Sequence, residues 1–317
     1  MTETDAQDMA TKLESARRQF RDELVAAGLL VPMGIDGLYG RGAVFESIVD
    51  GIDHAVRAKG AEVHGDHAKV LRFPPVYPRD QFEKTDYIAS FPDLTGAIST
   101  FTGGNAEHRA LLADRDAGVP WDGHLSPSGT MLVTAACHPS YATLPPDLPD
   151  GGVVMDIYGY CFRHEPAIDP ARMQAFRMHE YVLVGTPDQA QTHRDTWVDH
   201  GMAVLTGLGL DARPEAANDP FFGRVGKMLA ANQRDEGLKT ELLVRLYRDL
   251  HDGTALVSAN CHRDHFGESF GLHTADGGVA HSACVGFGME RIALGLLRTH
   301  GFDTASWPAA VRTAMGW

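Results

Sequence analysis

This sequence has no long apolar run, no closely spaced cysteine pair and no surplus of positive charge, and each absence argues against a class of function. Nothing approaches the ~18 uninterrupted apolar residues of a membrane-spanning helix, and the opening MTETDAQDMATKLESARRQF is too polar for a secretion signal. A cytoplasmic protein with no membrane partner is expected. The four cysteines, Cys137, Cys161, Cys261 and Cys284, lie far apart without a C-x-x-C pair, which argues against a zinc ribbon and a disulfide framework. Any metal site must therefore be assembled by the fold. Acidic residues outnumber basic ones 42 to 28, giving a formal net charge of -14, so non-specific attraction to nucleic acid is disfavoured; phosphates are neutralised by Lys and Arg. No internal repeat or low-complexity linker divides the chain. Its 317 residues, 44% apolar, can bury a substantial core, and a single domain over 1–317 is expected.

What is present reads as alternating helices and strands. From Met9 through Leu13, Ala16, Phe20 and Leu24 the apolar residues recur three or four apart, predicting a short amphipathic helix over 8–28. A glycine-rich turn from Gly34 to Arg41 leads to a helical pattern from Ala43 to Lys59, after which Pro74, Pro75 and Pro78 interrupt an extended stretch. Beyond Leu125 come short β-like runs, among them GGVVMDIYGYCFRHE, EYVLVG and TALVSANCH, with helices between them near Asp188 to Leu208 and Pro220 to Gln233. This pattern predicts an α+β domain around an antiparallel sheet.

Two segments carry residues suited to a nucleotide. Phe162-Arg163-His164-Glu165 ends a β-like run and is followed by a loop with Asp169 and Arg172, then by Phe176-Arg177-Met178-His179-Glu180-Tyr181. A planar guanidinium at a strand end can bind a phosphate through paired hydrogen bonds, and a nearby carboxylate can accept from an adenine amine. Spacing alone favours a solvated hairpin with an Arg/Glu surface pair. Gly286-Phe-Gly-Met-Glu-Arg291 then runs into IALGLL, which puts a cation in the first turn of a helix, where the dipole opposes it unless an anion is near. A glycine-rich turn before a core helix is the alternative.

Together these segments resemble motifs 2 and 3 of the class II aminoacyl-tRNA synthetases, and the helix after Gly42 with its proline-rich sequel resembles their dimer-forming motif 1. The resemblance spans about Gly34 to Leu297. It implies a class II catalytic core, an antiparallel sheet flanked by helices, in a homodimer. It also implies that Arg163 holds the α-phosphate of ATP, Glu165 the adenine amine, and Arg291 the γ-phosphate, with Arg172 in the loop between. Tyr181 is the choice for the opposite aromatic wall, with Phe176 as competitor.

By the same resemblance Cys137, Glu180 and Cys284 converge on one pocket. Two thiolates and a carboxylate make a three-ligand zinc site with an open fourth position, suited to a substrate α-amine. This set resembles the zinc-dependent seryl-tRNA synthetases of methanogens and, more closely, the amino acid:[carrier protein] ligases, which lack the tRNA-binding domain and load glycine or alanine onto a phosphopantetheine thiol. Roughly thirty N-terminal residues, at ~1.5 Å each in a helix, are too few for the tRNA-gripping hairpin of a seryl-tRNA synthetase. His138 and His179 flank two of the ligands and are read as supporting or structural residues, and Cys161 and Cys261 as core.

Three weaker readings complete the set. His262 and His265 share an H-x-x-H spacing that a strand would point in different directions, so both read as structural, whereas Asn260 on the same run is a candidate substrate contact. Glu241 is a candidate Mg2+ contact through ATP, although the seryl family's usual acidic position is occupied by Leu243 here. Asp219 and Pro220 make a good helix start for an insertion over about 219–234, whose Arg224, Lys227 and Arg234 could dock an acidic carrier protein or merely face solvent. The implied protein is an ATP-dependent, AMP-forming ligase with one Zn2+ per chain, Mg2+ with ATP, a phosphopantetheinylated carrier protein as partner and no tRNA. A seryl-tRNA synthetase and an inactive synthetase paralogue with a scaffold role are the rivals.

Overall fold

The computed structural model describes residues 3–217, 237–251 and 253–317. In chain order, α1 (Glu3–Ala26) leads to a hairpin of β1 (Leu30–Pro32) and β2 (Tyr39–Arg41), then α2 (Ala43–His64) and β3 (Lys69–Leu71). Next come β4 (Val76–Pro78), the short helices α3 (Arg79–Glu83) and α4 (Tyr87–Ser90), β5 (Ala97–Thr100), α5 (Asn105–Asp116) and β6 (Ser126–Leu132). The second half contains β7 (Val153–Phe162), β8 (Ala175–Gly185), α6 (Pro187–Gly207), β9 (Ala212–Ala216), β10 (Lys239–Val244), β11 (Thr254–Arg263), α7 (His265–Phe270), β12 (His281–Gly288), α8 (Met289–His300) and α9 (Ala309–Ala314). The first helix thus covers nearly the span read from its periodicity, and α2 runs five residues past Lys59 to His64, where Gly65 at φ 55° ends it. The expected basic segment with Arg224, Lys227 and Arg234 lies outside the described residues.

The main sheet has the order β3-β7-β8-β12-β11-β10-β9 and is antiparallel except for β3, which pairs parallel with β7 at the edge. A small sheet, β4-β6-β5, lies apart from it. The expected α+β architecture is therefore present, with one parallel edge strand added. Among the described residues no helix is long and apolar enough to cross a membrane.

Strand alternation divides the main sheet into two faces. On one, α2, α6 and α8 bury a core that includes Ile48, Ile52, Trp197, Leu205, Val257, Val285, Phe287 and Leu294. Helix α2 presents Phe45, Ile48, Val49, Ile52 and Val56 at helical spacing to that face, and full burial of each such side chain stabilises the fold by roughly 1.5–3 kcal/mol. Helix α6 starts where its sequence dictates: Thr186 and Gln189 form a reciprocal capping box with Pro187 in the first turn.

The helix-packed face also contains charged groups. Arg177 donates to Glu290 at 2.8 Å and to Glu46 of α2 at 2.5 Å, while His179 sits between Asp53 of α2 at 2.7 Å and Asp156 of β7 at 3.2 Å. Burial opposes the charge on His179, but the two carboxylates outweigh it and raise its pKa. Beside it the Tyr181 ring stacks on Trp197 with centroids 4.6 Å apart, and its hydroxyl donates to Asp156.

Two predictions follow from this face. A Cβ at Gly60 of α2 would lie 1.8 Å from the Tyr181 hydroxyl oxygen. Helix propensity alone would make Gly60→Ala stabilising by about 1 kcal/mol, but overpacking costs ~1–3 kcal/mol and the contact is against a fixed ring. A lowered urea midpoint is expected, and an unchanged or raised one would place Tyr181 elsewhere. His193 of α6, stacked on His64 and bonded to the Tyr181 carbonyl at 3.1 Å, is pushed down to about 4 mainly by burial. The unfolded chain takes up this proton near pH ~6.5 before the folded one does, so stability is lost as pH falls from about 6.5 toward 4. Unfolding midpoints measured across that window should fall less steeply in His193→Gln.

Candidate active site

The opposite face of the sheet floors a cavity of about 680 Å³. Much of its lining recurs at every second residue: Phe176, Met178 and Glu180 on β8, Cys284, Gly286 and Gly288 on β12, Ser258, Asn260 and His262 on β11, and Lys239 and Glu241 on β10, with Cys261 and neighbours on β11 also reaching it. This period of two is how an antiparallel sheet collects side chains distant in sequence onto one surface. Register does the rest. Glu180 lies across from Gly286 and Cys284 across from Asn260, so the carboxylate, the sulfur and the amide come from adjacent strands. A Cβ at Gly286 would meet the Met178 methyl at 2.5 Å, so glycine there leaves the room in which Met178 and Glu180 lie.

Cys137 joins them from the loop after β6. The backbone N–H of Ala136 donates to one Glu180 oxygen at 2.9 Å and that of Cys137 to the other at 3.2 Å, which fixes the loop and the carboxylate together. The ligand atoms of Cys137, Glu180 and Cys284 all lie within 4.8 Å of one another, and all three residues are buried. Sulfurs bound to one tetrahedral zinc stand about 3.8 Å apart, so the spacing and the S, S, O chemistry fit a Zn2+ ion. Asn260 Nδ2 reaches Cys284 Sγ at 3.8 Å and His262 Nε2 reaches it at 3.6 Å.

The electrostatics of the three are unusual. Burial, and then the charge of Cys284, pushes Glu180 up to about 7 despite its two backbone donors. The Cys284 thiol is held low by the hydrogen bond from Cys137, with His262 and Asn260 helping, whereas that same bond and burial push Cys137 up. A divalent cation bound here would have to displace protons from groups that burial has made reluctant to ionise, so its uptake would depend on pH.

A cationic region adjoins it. Arg163 lines the cavity, donates to the Thr134 carbonyl at 3.1 Å and lies over the Phe176 ring, 5.5 Å from its centroid. Arg291, in the first turn of α8, donates to the carbonyls of Ala171 at 2.9 Å and Ala255 at 3.1 Å. Its pKa is lowered by burial and then by the nearby charges of Arg163 and Arg172. Because guanidinium stays charged, a buried Arg291 with Arg163 and Arg172 near it offers a place for an anion. Glu165 lines the same cavity and pairs with Arg172 at 3.2 Å, while Arg172 itself is largely exposed outside it. Glu241 lines the cavity and pairs with Lys239 at 3.1 Å.

One residue moves. Tyr181 lies on the helix-packed face, buried against Trp197, so it cannot be the aromatic wall of a nucleotide site. It is one position out of phase with Glu180, and Phe176, in phase, is the aromatic on the cavity face. His179 is on the far side for the same reason. His262 and His265 both line the cavity after all, because the strand stops at Arg263 and α7 turns His265 back toward it. Lys239 was not singled out from the sequence; alternation with Glu241 was the available signal.

No family model matches the chain. Among curated proteins it is 43% identical over 297 residues to amino acid–[acyl-carrier-protein] ligase 1 of Bradyrhizobium diazoefficiens, covering 92% of this chain and 89% of that one. It is 42% identical to ligase 2 of the same organism, with 92% and 86% covered. The type-2 serine–tRNA ligase of Methanococcus aeolicus is 29% identical over 196 residues, 59% of this chain but only 38% of that protein. Among solved structures, the M. kandleri seryl-tRNA synthetase bound to tRNASec superposes with a TM-score of 0.79 at 20% identity, covering 93% of this chain and 60% of that one. The ATP complex of the Pyrococcus horikoshii seryl-tRNA synthetase gives 0.66 at 12% identity, with 94% and 62% covered. Those two likenesses establish the class II synthetase fold; the extent and identity of the first two relatives establish more, and the chain belongs to the amino acid–[acyl-carrier-protein] ligase family.

Proposed function

We propose that this ligase activates glycine or alanine with ATP and passes the aminoacyl group to the phosphopantetheine thiol of a carrier protein. The observation that carries the reading is a buried set of two sulfurs and one carboxylate sharing a single cavity with Arg163 and Arg291. The printed names of the Bradyrhizobium relatives support the carrier-protein half. Cys137, Glu180 and Cys284 would hold one Zn2+ ion per chain, which would supply a Lewis-acid contact for the substrate α-amine. His138, His262 and Phe266 fill the walls near this set, which favours a substrate with little side chain.

The residues then divide the work of adenylation. Phe176 supplies a face for adenine, Glu165 accepts from its amine, and Glu241 contacts the Mg2+ that accompanies the phosphates. Asn260 orients the amino acid. Its carboxylate oxygen attacks the α-phosphorus, the bond to the pyrophosphate oxygen breaks, and Arg163 and Arg291 stabilise the charge growing on the phosphates. The carrier thiol, deprotonated, next attacks the acyl carbon and AMP leaves. No protein nucleophile is needed. Arg224, Lys227 and Arg234, outside the described residues, remain the proposed docking cations for the acidic carrier. Exposed Val31, Met33 and Ile35 on the β1–β2 hairpin favour a second copy packing on that side.

Pyrophosphate exchange into ATP, run with each amino acid, tests the reading. Glycine or alanine should support exchange, serine poorly, and a zinc chelator should abolish it. Cys137→Ala and Cys284→Ala should lose bound zinc and at least about 100-fold of the exchange rate. Zinc affinity, followed by competition with a chelating dye, should weaken as pH falls through about 7, because a proton returns to Glu180. Aminoacylation of total tRNA would instead establish a seryl-tRNA synthetase, and absence of exchange with every amino acid would leave a scaffold protein.

A further inference from the structure

The loop between β7 and β8, which carries Glu165 and Arg172, does not stand free. Asp169 at its turn is 5% exposed. One of its carboxylate oxygens accepts from the Ala171 N–H at 2.9 Å and from the Tyr247 hydroxyl at 2.5 Å. The other faces Arg17 Nε of α1 at 2.9 Å. Ala171, fixed this way through its N–H, uses its carbonyl to accept from Arg291 Nε at 2.9 Å, and the backbone N–H of Arg172 closes on the Asp169 carbonyl at 2.9 Å. A continuous line of contacts therefore runs from α1 through Asp169 and Ala171 to the guanidinium at the start of α8.

Helix α1 is firmly seated for such a role. Phe20 and Leu24 are buried, the Phe20 ring meets Tyr247 edge-on at 6.4 Å, and Arg298 of α8 lies over Phe20 at 5.0 Å. Arg17 additionally lies over the Tyr247 ring, 5.8 Å from its centroid. Burial and the adjacent Asp169 charge push the Tyr247 phenol up, so it stays a donor to that carboxylate. The Asp169 carboxylate is nearly out of water, and only Arg17 brings a compensating full charge within 3 Å of it, at 2.9 Å, among the described ion pairs. Removing one partner of a buried pair leaves the other uncompensated, and the carboxylate then has reason to turn toward solvent and release the loop.

We infer that Arg17, with Asp169 and Tyr247, is a positioning residue for ATP: the N-terminal helix holds the nucleotide loop and Arg291 in their binding geometry without touching the nucleotide. This rests on the ATP reading given above. Binding of Mg–ATP by titration calorimetry, independent of the amino acid and the carrier, separates the two. Wild type should bind, and Arg17→Ala should bind about tenfold more weakly, with KM for ATP in pyrophosphate exchange rising in parallel and KM for the amino acid little changed. Tyr247→Phe should shift in the same direction by less, Arg17→Lys should restore most of the affinity, and Lys12→Ala, which removes only an exposed pair with Asp8 on the same helix, should match wild type. Wild-type ATP affinity in Arg17→Ala, whether or not its melting temperature falls, would overturn the inference, as would an equal loss in Lys12→Ala. A wild-type protein that binds no ATP would overturn the nucleotide reading itself.

Discussion

The Glu180 carboxylate is the group around which this molecule is organised. It is buried, it receives the N–H groups of Ala136 and Cys137, and it stands beside two sulfurs. Taking a carboxylate out of water without an opposite charge is costly, and two neutral donors do not offset it, as its upward-shifted pKa records. The divalent ion proposed above would close that deficit. The same two donors stitch the Cys137 loop to β8, so the step that partners the carboxylate also brings the Cys137 sulfur beside it.

Beside this anionic set lies an excess of positive charge. Burial, and then the charges of Arg163 and Arg172, lower the pKa of Arg291, while Arg163 and Arg291 donate to carbonyl oxygens and Arg172 pairs with Glu165. One cavity with a cation-seeking half and an anion-seeking half suits a zwitterion reacting with a nucleoside triphosphate. The amine and the carboxylate of one small molecule would each find the potential they need.

Much of this was legible from the chain. The strand runs and the helix starts followed from periodicity and capping residues, and the arginines and cysteines stood in segments whose likeness to class II synthetases placed them together. What was missed turns on phase and on contact. Tyr181 and Glu180 are adjacent letters, and choosing an aromatic by proximity ignored that neighbours on a strand face opposite ways. His262 was set aside by the same rule applied too far, because the strand ended at Arg263 before His265 could be counted on it. The parallel pairing of β3 and the Arg17–Asp169 contact involve partners far apart in sequence, and no local pattern encodes them.

Strand β8 serves two surfaces at once. Phe176, Met178 and Glu180 face the cavity, while Arg177, His179 and Tyr181 lock into α2, β7 and α6 behind it. Sliding the strand by one residue would exchange every occupant of one surface for one of the other, stranding an arginine and a histidine away from their carboxylates. The hidden ion pairs thus act as a ratchet pin: the placement of the Glu180 carboxylate in the cavity is enforced by Glu46, Asp53 and Asp156, none of which lines the cavity.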